Sequence, residues 1–448
     1  MKFIEKVYPD KQILSILLIF FIFSQIFIFL KNVLPLLINY HPNALVYYSQ
    51  EYGWILYKKN NIRYFYDKNT DEIYPLSYLK LFPKRFSPAY TGEYFKKIGD
   101  KEYKFKPFKE IFLQKLFRSV SKNVKLTIFF IFGLIVMHIF SKIDYKVYKN
   151  KKVIYSTIII SGLLLTGVLI KKFLYHSQNS MPVRWLIGTS IQPSEFSKVV
   201  LILFLAYYIG VKGYIEQYKS LIFVLVVLLG HVVLIAFQPD LGMALFFLLL
   251  GISLMWLGGV ALRIFIPSLT ILGTTGIGIL LLYSEHVKKR FQGWLDPFSD
   301  PYDRGYQIIK SLQALINGGF FGQGLGKGLL SAVYIRESDT DYVVSLIIEN
   351  LGVLGFLFLL LLQLILVIKL FRFANRVYGI YEKLIIVGVA LNIVYSILVN
   401  YAMAFNMLPP KGIALPFISY GISNLLANFI GLGIVGSIYR KQFPVLNL

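Results

Sequence analysis

The residues best suited to chemistry in this sequence are ionisable side chains beside long apolar segments. Arg184 precedes one such segment, and Glu195 and Lys198 open it within a Gln-Pro-Ser-Glu-Phe-Ser-Lys string. Glu195 and Lys198 are three positions apart and therefore share a helix face. They can form a self-neutralising pair that only caps the helix. With Arg184 nearby they can instead line a site whose cations hold phosphate. We favour this second interpretation, because charged residues beside a membrane span are costly and are therefore candidates for a function.

A second string, Gln-Pro-Asp-Leu-Gly over 238–242, separates two apolar segments. Pro239 fits the first turn of a helix and Gly242 permits close packing, so structure alone explains both residues. Asp240 has two interpretations, as a helix cap or as a member of the polar site. We include Asp240, together with Gln192, among the residues predicted to line that site.

A third group lies in the polar stretch 290–307, where three carboxylates and two arginines fall within fifteen positions. Asp-Pro pairs often form turns, which explains Asp296. A carboxylate beside a cation at the membrane boundary can instead serve as a general base. Spacing alone does not choose among the three carboxylates, which are Asp296, Asp300 and Asp303.

The glycine-rich run 318–328 invites interpretation as a phosphate-binding loop, which we reject. The P-loop pattern requires Gly five residues before the Gly-Lys pair and Ser or Thr after it. Those positions hold Phe321 and Gly328 in this sequence.

Two later stretches complete the polar set. Glu337 stands just before an apolar segment, and Lys411 and Ser419 lie in a stretch interrupted by Pro and Gly. Irregular backbone at membrane depth is tolerated where it lines a cavity. We therefore predict that Glu337 and Ser419 line the same cavity.

The elements that must position these residues are membrane-spanning helices. Of the 448 residues, 56% are hydrophobic and 16% are charged, whereas about a quarter are charged in soluble domains. The absence of Cys excludes disulfides, thiolate nucleophiles and Cys-ligated metal sites, and five His leave little room for a His-rich site. The net charge of +24 fits anionic lipid headgroups better than a nucleic-acid partner.

A spanning helix needs roughly 20 mostly apolar residues. Ten segments meet this requirement, at 12–39, 124–141, 153–174, 193–211, 220–237, 240–258, 263–283, 342–368, 383–404 and 421–439. The chain is thus predicted to be an all-α polytopic membrane protein with ten transmembrane helices.

Short basic loops set the orientation, because loops rich in Lys and Arg stay in the cytoplasm. The segment 142–152 and the basic residues after the eighth and tenth spans fall on the same side as Met1. Both termini are therefore predicted to be cytoplasmic. The outward loops are then 40–123, 175–192, the large loop 284–341, and 405–420.

The segment 40–122 departs from this pattern, since it holds 16 Lys and Arg against 8 Asp and Glu. Loops longer than about 60 residues escape the charge rule. Apolar and polar residues alternate around a turn at 54–66, as in a hairpin. We predict a small extracytoplasmic, β-containing insertion in an otherwise single membrane domain, 1–448.

Taken together, the strings resemble the SEDS family (shape, elongation, division and sporulation) of peptidoglycan polymerases. Matching strings, in the family's order, are Arg-Trp at 184, Gln-Pro-Ser-Glu at 192, Gln-Pro-Asp-Leu-Gly at 238, Leu-Asp-Pro-Phe-Ser-Asp-Pro at 295, the glycine-rich run 318–328 and Leu-Pro-Phe-Ile-Ser-Tyr-Gly at 415. The strings at 305–314 and 408–412 favour the FtsW-like branch.

The resemblance implies an enzyme of the cytoplasmic membrane that joins lipid II units on the outer face, with a class B penicillin-binding protein as partner. The family's catalytic carboxylate matches Asp300. The family's Glu, Lys and Arg match Glu195, Lys198 and Arg184, and we add Arg290 and Lys411 to the set that would hold the diphosphate.

The sequence departs from the family pattern at several positions. The usual Pro-Glu-Ser-His-Thr-Asp has Arg336 and Asp339 in place of Pro and His. Asn350 replaces the second Glu of Gly-Glu-Glu-Leu-Gly, and Ile422 and Asn424 alter the terminal Gly-Gly-Ser-Ser.

These residues suit an inverting glycosyl transfer, with Asp300 as base and cations stabilising the leaving diphosphate. A purely acid–base version and one assisted by Mg²⁺ or Mn²⁺ are both compatible with the residue types. A flippase for lipid-linked precursors and a non-catalytic cell-division scaffold are the alternative functions. A flippase needs polar residues along its whole depth, whereas these residues cluster at the outer face.

Overall fold

The structure is a computed structural model. It describes residues 10–32, 45–49, 53–57, 63–67, 72–75, 95–98, 101–175, 184–186, 191–212, 218–238, 240–260, 270, 291–301, 305–335 and 337–443. The longer helices are α1 Lys11–Asn32, α2 Phe108–Lys142, α3 Lys151–Tyr175, α4 Pro193–Gly210, α5 Tyr218–Phe237, α6 Leu241–Leu257, α7 Tyr306–Gly318, α8 Leu329–Tyr334, α9 Val343–Arg376, α10 Ile380–Ala404 and α11 Ile422–Gln442.

Eight of these helices are long and apolar enough to cross a membrane, namely α1 to α5 and α9 to α11. Helix α6 is apolar but has 17 residues. Nine of the ten predicted spans thus coincide with a helix, and only residue 270 of the remaining span, 263–283, lies within the described residues. The prediction of a mainly helical, polytopic membrane protein is confirmed, and the count of ten stays a prediction.

Contacts between helix ends sort these ends onto two faces of the bundle. On one face, Asp10 at the start of α1 pairs with Lys369 near the end of α9, at 3.1 Å. Lys149, before α3, pairs with Glu382 at the start of α10, at 2.6 Å. On the other face, Lys31 at the end of α1 and Lys122 near the start of the apolar part of α2 both contact Asp339, just before α9. Which of the two faces is cytoplasmic stays a prediction.

Helix α4, which carries Glu195 and Lys198, is the most enclosed span in the part of the chain that the structure describes. It packs against α3, α6, α10 and α11. Gly388 on α10 brings that helix close, because a Cβ there would overlap with Ile202. Since protein rather than lipid surrounds α4, charged side chains can be accommodated at its start.

Six strands lie between α1 and α2, where the sequence predicts a β-containing insertion. They are β1 Leu45–Ser49, β2 Gly53–Tyr57, β3 Arg63–Asp67, β4 Glu72–Pro75, β5 Phe95–Ile98 and β6 Lys101–Pro107, in antiparallel order β4-β3-β2-β1-β6-β5. The β2–β3 hairpin pairs Ile55 with Phe65. Helix α2 begins at Phe108, so the last part of the predicted insertion 40–122 is helical and continuous with the second span.

The glycine-rich run has a structural role at a break in α9. Gly352 has φ +70°, which interrupts the helix. The run supplies bonding partners there: Gln323 N donates to the Glu349 carbonyl at 2.8 Å, and Val353 N donates to the Gly319 carbonyl at 3.0 Å. A Cβ at Gly352 would overlap with the backbone of this run. Close backbone approach therefore explains the glycines without a bound phosphate.

Candidate functional site

Glu195 and Lys198 form an ion pair in the first two turns of α4. Lys198 Nζ lies 2.7 Å from Glu195 Oε2, and both side chains are buried. Asn424 Nδ2, at the start of α11, donates to the same carboxylate oxygen at 3.0 Å. Lys198 Nζ also lies 4.7 Å from the centre of the Phe246 ring on α6. The helix-face prediction is confirmed, and three helices converge on the pair.

Asp240 joins two further cations to this region. Its Oδ2 lies 3.4 Å from Arg184 Nε, and its Oδ1 contacts Lys411 Nζ. Gln192 Nε2 approaches Oδ2 at 3.5 Å. Asp240 also caps α6, since its Oδ1 accepts from Met243 N at 3.1 Å. Asp240 therefore caps α6 and also contacts two of the cations that the sequence analysis grouped, while its role in a functional site stays a prediction.

Lys411 reaches Asp240 because the residue beside its stem is a glycine. A Cβ at Gly242 would overlap with the Lys411 side chain. Burial lowers the pKa of Lys411 and the nearby Arg184 charge adds to this effect, whereas Glu195 opposes it. Contact with the Asp240 carboxylate also favours the charged form of Lys411. Burial lowers the pKa of Arg184 as well, and Asp341 opposes that shift.

Asp341 is a site residue that the sequence analysis did not select. It lies just before α9, beside Glu337 and Arg184, and Gly412 leaves room for its carboxylate. Although Asp341 keeps some accessible surface, enclosure by protein raises its pKa to about 7; Glu337 adds to this shift and Arg184 opposes it. Its position in the family string Glu-Ser-x-Thr-Asp was the available signal.

Two buried polar side chains hold the irregular segments in place. Asn400 Nδ2 on α10 donates to the carbonyls of Asp341 and Ile413, at 3.0 and 2.9 Å. Ser419 Oγ accepts from Leu415 N at 3.0 Å and donates to the Thr340 carbonyl. Ser419, predicted to line the cavity, thus joins the loop before α9 to the loop before α11.

Asp339, which replaces the family's usual His, binds both helices that flank the insertion. Its carboxylate lies 3.1 Å from Lys31 Nζ at the end of α1 and 3.0 Å from Lys122 Nζ on α2. Burial alone would raise the pKa of Asp339, but these two ammonium groups lower it to about 2. Tyr420 N donates to the Asp339 carbonyl at 2.8 Å. The departure from the family pattern is therefore matched by two lysines.

Other departures also have partners. Asn424 binds Glu195, as described above, and Asn350 Oδ1 accepts from Gly326 N at 2.9 Å. Glu349, the neighbour of Asn350, accepts from Leu330 N and Ser331 N at 3.0 and 2.6 Å, so it caps α8. Arg336 lies outside the described residues.

Asp300 lies on a different segment, in the loop before α7. It ends the 3-10 turn Pro297–Ser299, is half-buried, and its carbonyl accepts from Gly305 N at 2.9 Å. Asp296 starts the same turn and accepts from Phe298 N and Ser299 N, both at 3.2 Å, as an Asp-Pro turn predicts.

One contact ties the Asp300 loop to the segment that carries Lys411. Trp294 Nε1 donates to the Asn406 carbonyl at 3.0 Å. The predicted site residue Arg290, together with Asp303 and Arg304, lies outside the described residues.

The described site is nearly balanced in charge. Its cations are Arg184, Lys198 and Lys411, and its carboxylates are Glu195, Asp240, Glu337 and Asp341. The sequence predicts a site lined with cations. The structure shows the cations, but each contacts a carboxylate of the chain.

A divalent cation would need a cluster of oxygen or nitrogen ligands. Within the described ranges, no three His, Asp or Glu side chains lie close enough together to hold a metal ion. The described residues therefore form no site that would hold Mg²⁺ or Mn²⁺ with protein ligands alone, and the metal-assisted version stays a prediction.

A family model described as "Cell cycle protein", which covers FtsW, RodA and SpoVE, matches residues 112–443. Two relatives are named probable peptidoglycan glycosyltransferase FtsW. The relative from Geobacter sp. (strain M18) is 34% identical over 263 residues, which are 58% of this chain and 71% of the relative. The relative from Trichlorobacter lovleyi is 34% identical over 315 residues, which are 69% of this chain and 81% of the relative.

Two solved structures share the fold. A chain of a structure described as "Structural coordination of polymerization and crosslinking by a peptidoglycan synthase complex" has a TM-score of 0.59 and 23% identity, covering 72% of this chain and 90% of that chain. The rod shape determining protein RodA of Thermus thermophilus has a TM-score of 0.51 and 22% identity. The match covers 72% of this chain and 89% of that chain. With the matched model and these relatives, the chain belongs to the FtsW/RodA/SpoVE family, the SEDS family.

Proposed function

We propose that this protein is a peptidoglycan glycosyltransferase that joins lipid II disaccharide units into β-1,4 glycan strands. The observation that carries the proposal is the buried cluster of Arg184, Lys198 and Lys411 with their carboxylates at one end of the helix bundle. Family membership and the names of the relatives support the same activity.

Asp300 is the general base of the proposed reaction. It takes the proton from the acceptor sugar hydroxyl, whose oxygen attacks the anomeric carbon of the donor. The bond between that carbon and the lipid diphosphate breaks, and its electron pair leaves with the diphosphate. A single displacement inverts an α-linked donor to a β linkage. Arg184, Lys198, Arg290 and Lys411 stabilise the leaving charge, and no step passes through a metal ion.

We propose that the chemistry takes place on the outer face of the cytoplasmic membrane and that both termini are in the cytoplasm. The basic loops support this orientation. A flippase is less well supported, because the Asp, Glu, Lys and Arg residues of the described spans lie near helix ends. A scaffold without activity would not require the buried charge cluster.

The partner we propose is a class B penicillin-binding protein, which would cross-link the strands. One structural neighbour comes from a structure described as a peptidoglycan synthase complex that coordinates polymerization and crosslinking. That description concerns the neighbour and supports, by shared fold, a similar assembly for this chain.

Polymerisation of purified lipid II by the purified protein tests the function directly. We expect glycan strands on a gel, with more product when the partner transpeptidase is added. If lipid II is bound but never polymerised, with or without the partner, the enzyme proposal is wrong and the scaffold takes its place.

Donor binding should depend on pH through Asp341. Because the pKa of Asp341 is raised to about 7, its carboxyl is neutral below that pH and negative above it. The pKa of Asp341 also depends on four nearby charged groups, which are Glu337, Arg184, Asp339 and Lys31. The affinity for lipid II, whose diphosphate is a diester and does not titrate in this range, should therefore rise as pH falls through about 7. Lipid II binding in nanodiscs measures this, and Asp341→Asn should flatten the profile. An unchanged profile in that variant would assign the pH dependence to another group.

The insertion should be dispensable for the bare chemistry, because no family string falls within it. Its basic and aromatic composition suggests docking of the partner or of anionic envelope polymers, and a solvated decoration is the alternative. A Gly/Ser linker in place of 45–107 removes the sheet but keeps α2 and the ion pairs of Asp339 with Lys31 and Lys122.

We expect this variant to polymerise lipid II at the normal rate without the partner and to lose stimulation by the partner. If the partner still stimulates the variant, the docking proposal is wrong and the insertion is a solvated decoration. Loss of activity in a folded variant would show that the insertion supports the catalytic cavity.

A further inference from the structure

Asp240 places a carboxylate where the proposed donor headgroup needs an anion site. One of its oxygens faces Arg184 and the other contacts Lys411. The guanidinium and ammonium side chains are 13% and 12% exposed, and the carboxylate is 2% exposed. The Asp240 carboxylate thus bridges two cations through its two oxygens. A phosphate group bridges two cations in the same way.

The cations have more donors than Asp240 can use. A guanidinium has five N–H donors and an ammonium has three, whereas one carboxylate offers about four acceptor positions. One Asp240 oxygen already accepts from Met243 N to cap α6. A diphosphate, which has more acceptor oxygens than a carboxylate, can accept from both cations at once.

Lys411 is also placed so that it can exchange partners. It lies in the non-helical segment between α10 and α11, and its long stem passes over Gly242. Arg184 likewise lies outside the regular helices, between α3 and α4. Asp240, by contrast, is fixed at the start of α6. A ligand would therefore be met by cations on irregular segments, whereas the carboxylate belongs to a helix cap.

We propose that Asp240 is an internal counter-ion that occupies the anion position between Arg184 and Lys411 and is displaced from them by the diphosphate of the lipid-linked donor. Before the donor arrives, the carboxylate stabilises two buried cations. When the donor binds, the same carboxylate competes with the diphosphate and limits the affinity, which also favours release of the lipid diphosphate product. This inference rests on the proposed function.

Binding of a polyprenyl diphosphate in nanodiscs to the full chain tests the inference without turnover. Asp240→Asn keeps the helix cap and removes the charge, so we expect binding to tighten by roughly tenfold or more, because a like charge close to the diphosphate is lost. Polyprenol, which lacks the diphosphate, should show no difference. Inorganic pyrophosphate is added to the protein in nanodiscs that contain no polyprenyl diphosphate, to show whether the diphosphate group alone is recognised. It should bind the variant more tightly as well.

Asp144→Asn is the matched control, because Asp144 also caps a helix and pairs with a lysine, Lys441 at 3.2 Å, but at the opposite end of the bundle. Its affinity should equal that of the unmodified protein. Equal or weaker binding by Asp240→Asn would overturn the inference and leave Asp240 as a structural ion-pair member.

A charge-neutral pair of variants keeps the test decisive if Asp240→Asn does not fold. Asp240→Asn combined with Lys411→Met removes the negative charge beside Arg184 without a change in net charge. It should bind polyprenyl diphosphate more tightly than Lys411→Met alone, and the reverse order would overturn the inference. If the unmodified protein binds polyprenyl diphosphate no better than polyprenol, the donor site of the proposed function fails as well. Normal binding with no effect of Asp240 removes only the counter-ion.

Discussion

Asp300→Asn is expected to lower the rate of glycan polymerisation by roughly 100- to 10,000-fold, the contribution of a positioned general base. Asparagine has nearly the same shape as aspartate but cannot take up the proton of the acceptor hydroxyl. Asp300 is half-buried at the end of a short turn in the loop before α7. The protein should therefore fold normally, and lipid II should still bind.

Asp296→Asn provides the matched control for this experiment. It lies in the same turn, and its side chain accepts two backbone N–H groups, which an asparagine oxygen can also accept. Polymerisation by this variant should stay near normal when both are assayed with purified lipid II. Full activity in Asp300→Asn, or loss of activity in Asp296→Asn alone, would move the base to another carboxylate of the loop.

Local sequence information was sufficient for the elements and for the pair on α4. Apolar length located nine helices, and a spacing of three placed Glu195 and Lys198 together. Pro193 marked the start of their helix, where it is the first residue. These features depend on neighbours within one or two turns, and the hydrophobic pattern therefore specifies them.

The partners from distant parts of the chain could not be read from spacing. Asn424 reaches Glu195 across 229 positions, and Asn400 clamps two loops that approach each other only in the folded bundle. Asp339 looked like a loss of the family's His, because its lysine partners on α1 and α2 lie about two or three hundred positions earlier. Such contacts follow from the packing of the helices, which composition does not specify.

Lys198→Met is expected to lower polymerisation by roughly 100-fold or more, because the cation nearest the start of α4 would no longer stabilise the leaving diphosphate. Methionine matches most of the apolar stem and can keep the contact with the Phe246 ring. It also leaves Glu195 buried without its cation, which costs about 3 to 5 kcal/mol of stability in comparable pairs. The single variant therefore mixes lost catalysis with lost folding.

Adding Glu195→Gln to Lys198→Met separates these two effects. The double variant has no buried charge at this position, and a glutamine oxygen can still accept from Asn424. Its thermal stability should recover towards that of the unmodified protein, while its polymerase activity should stay as low as that of Lys198→Met. If both stability and polymerase activity recover, the Glu195–Lys198 pair has only a structural role in α4, because only the balance of charge would then matter. Recovery of stability alone assigns the positive charge of Lys198 to the chemistry and leaves Glu195 as the residue that holds it in place.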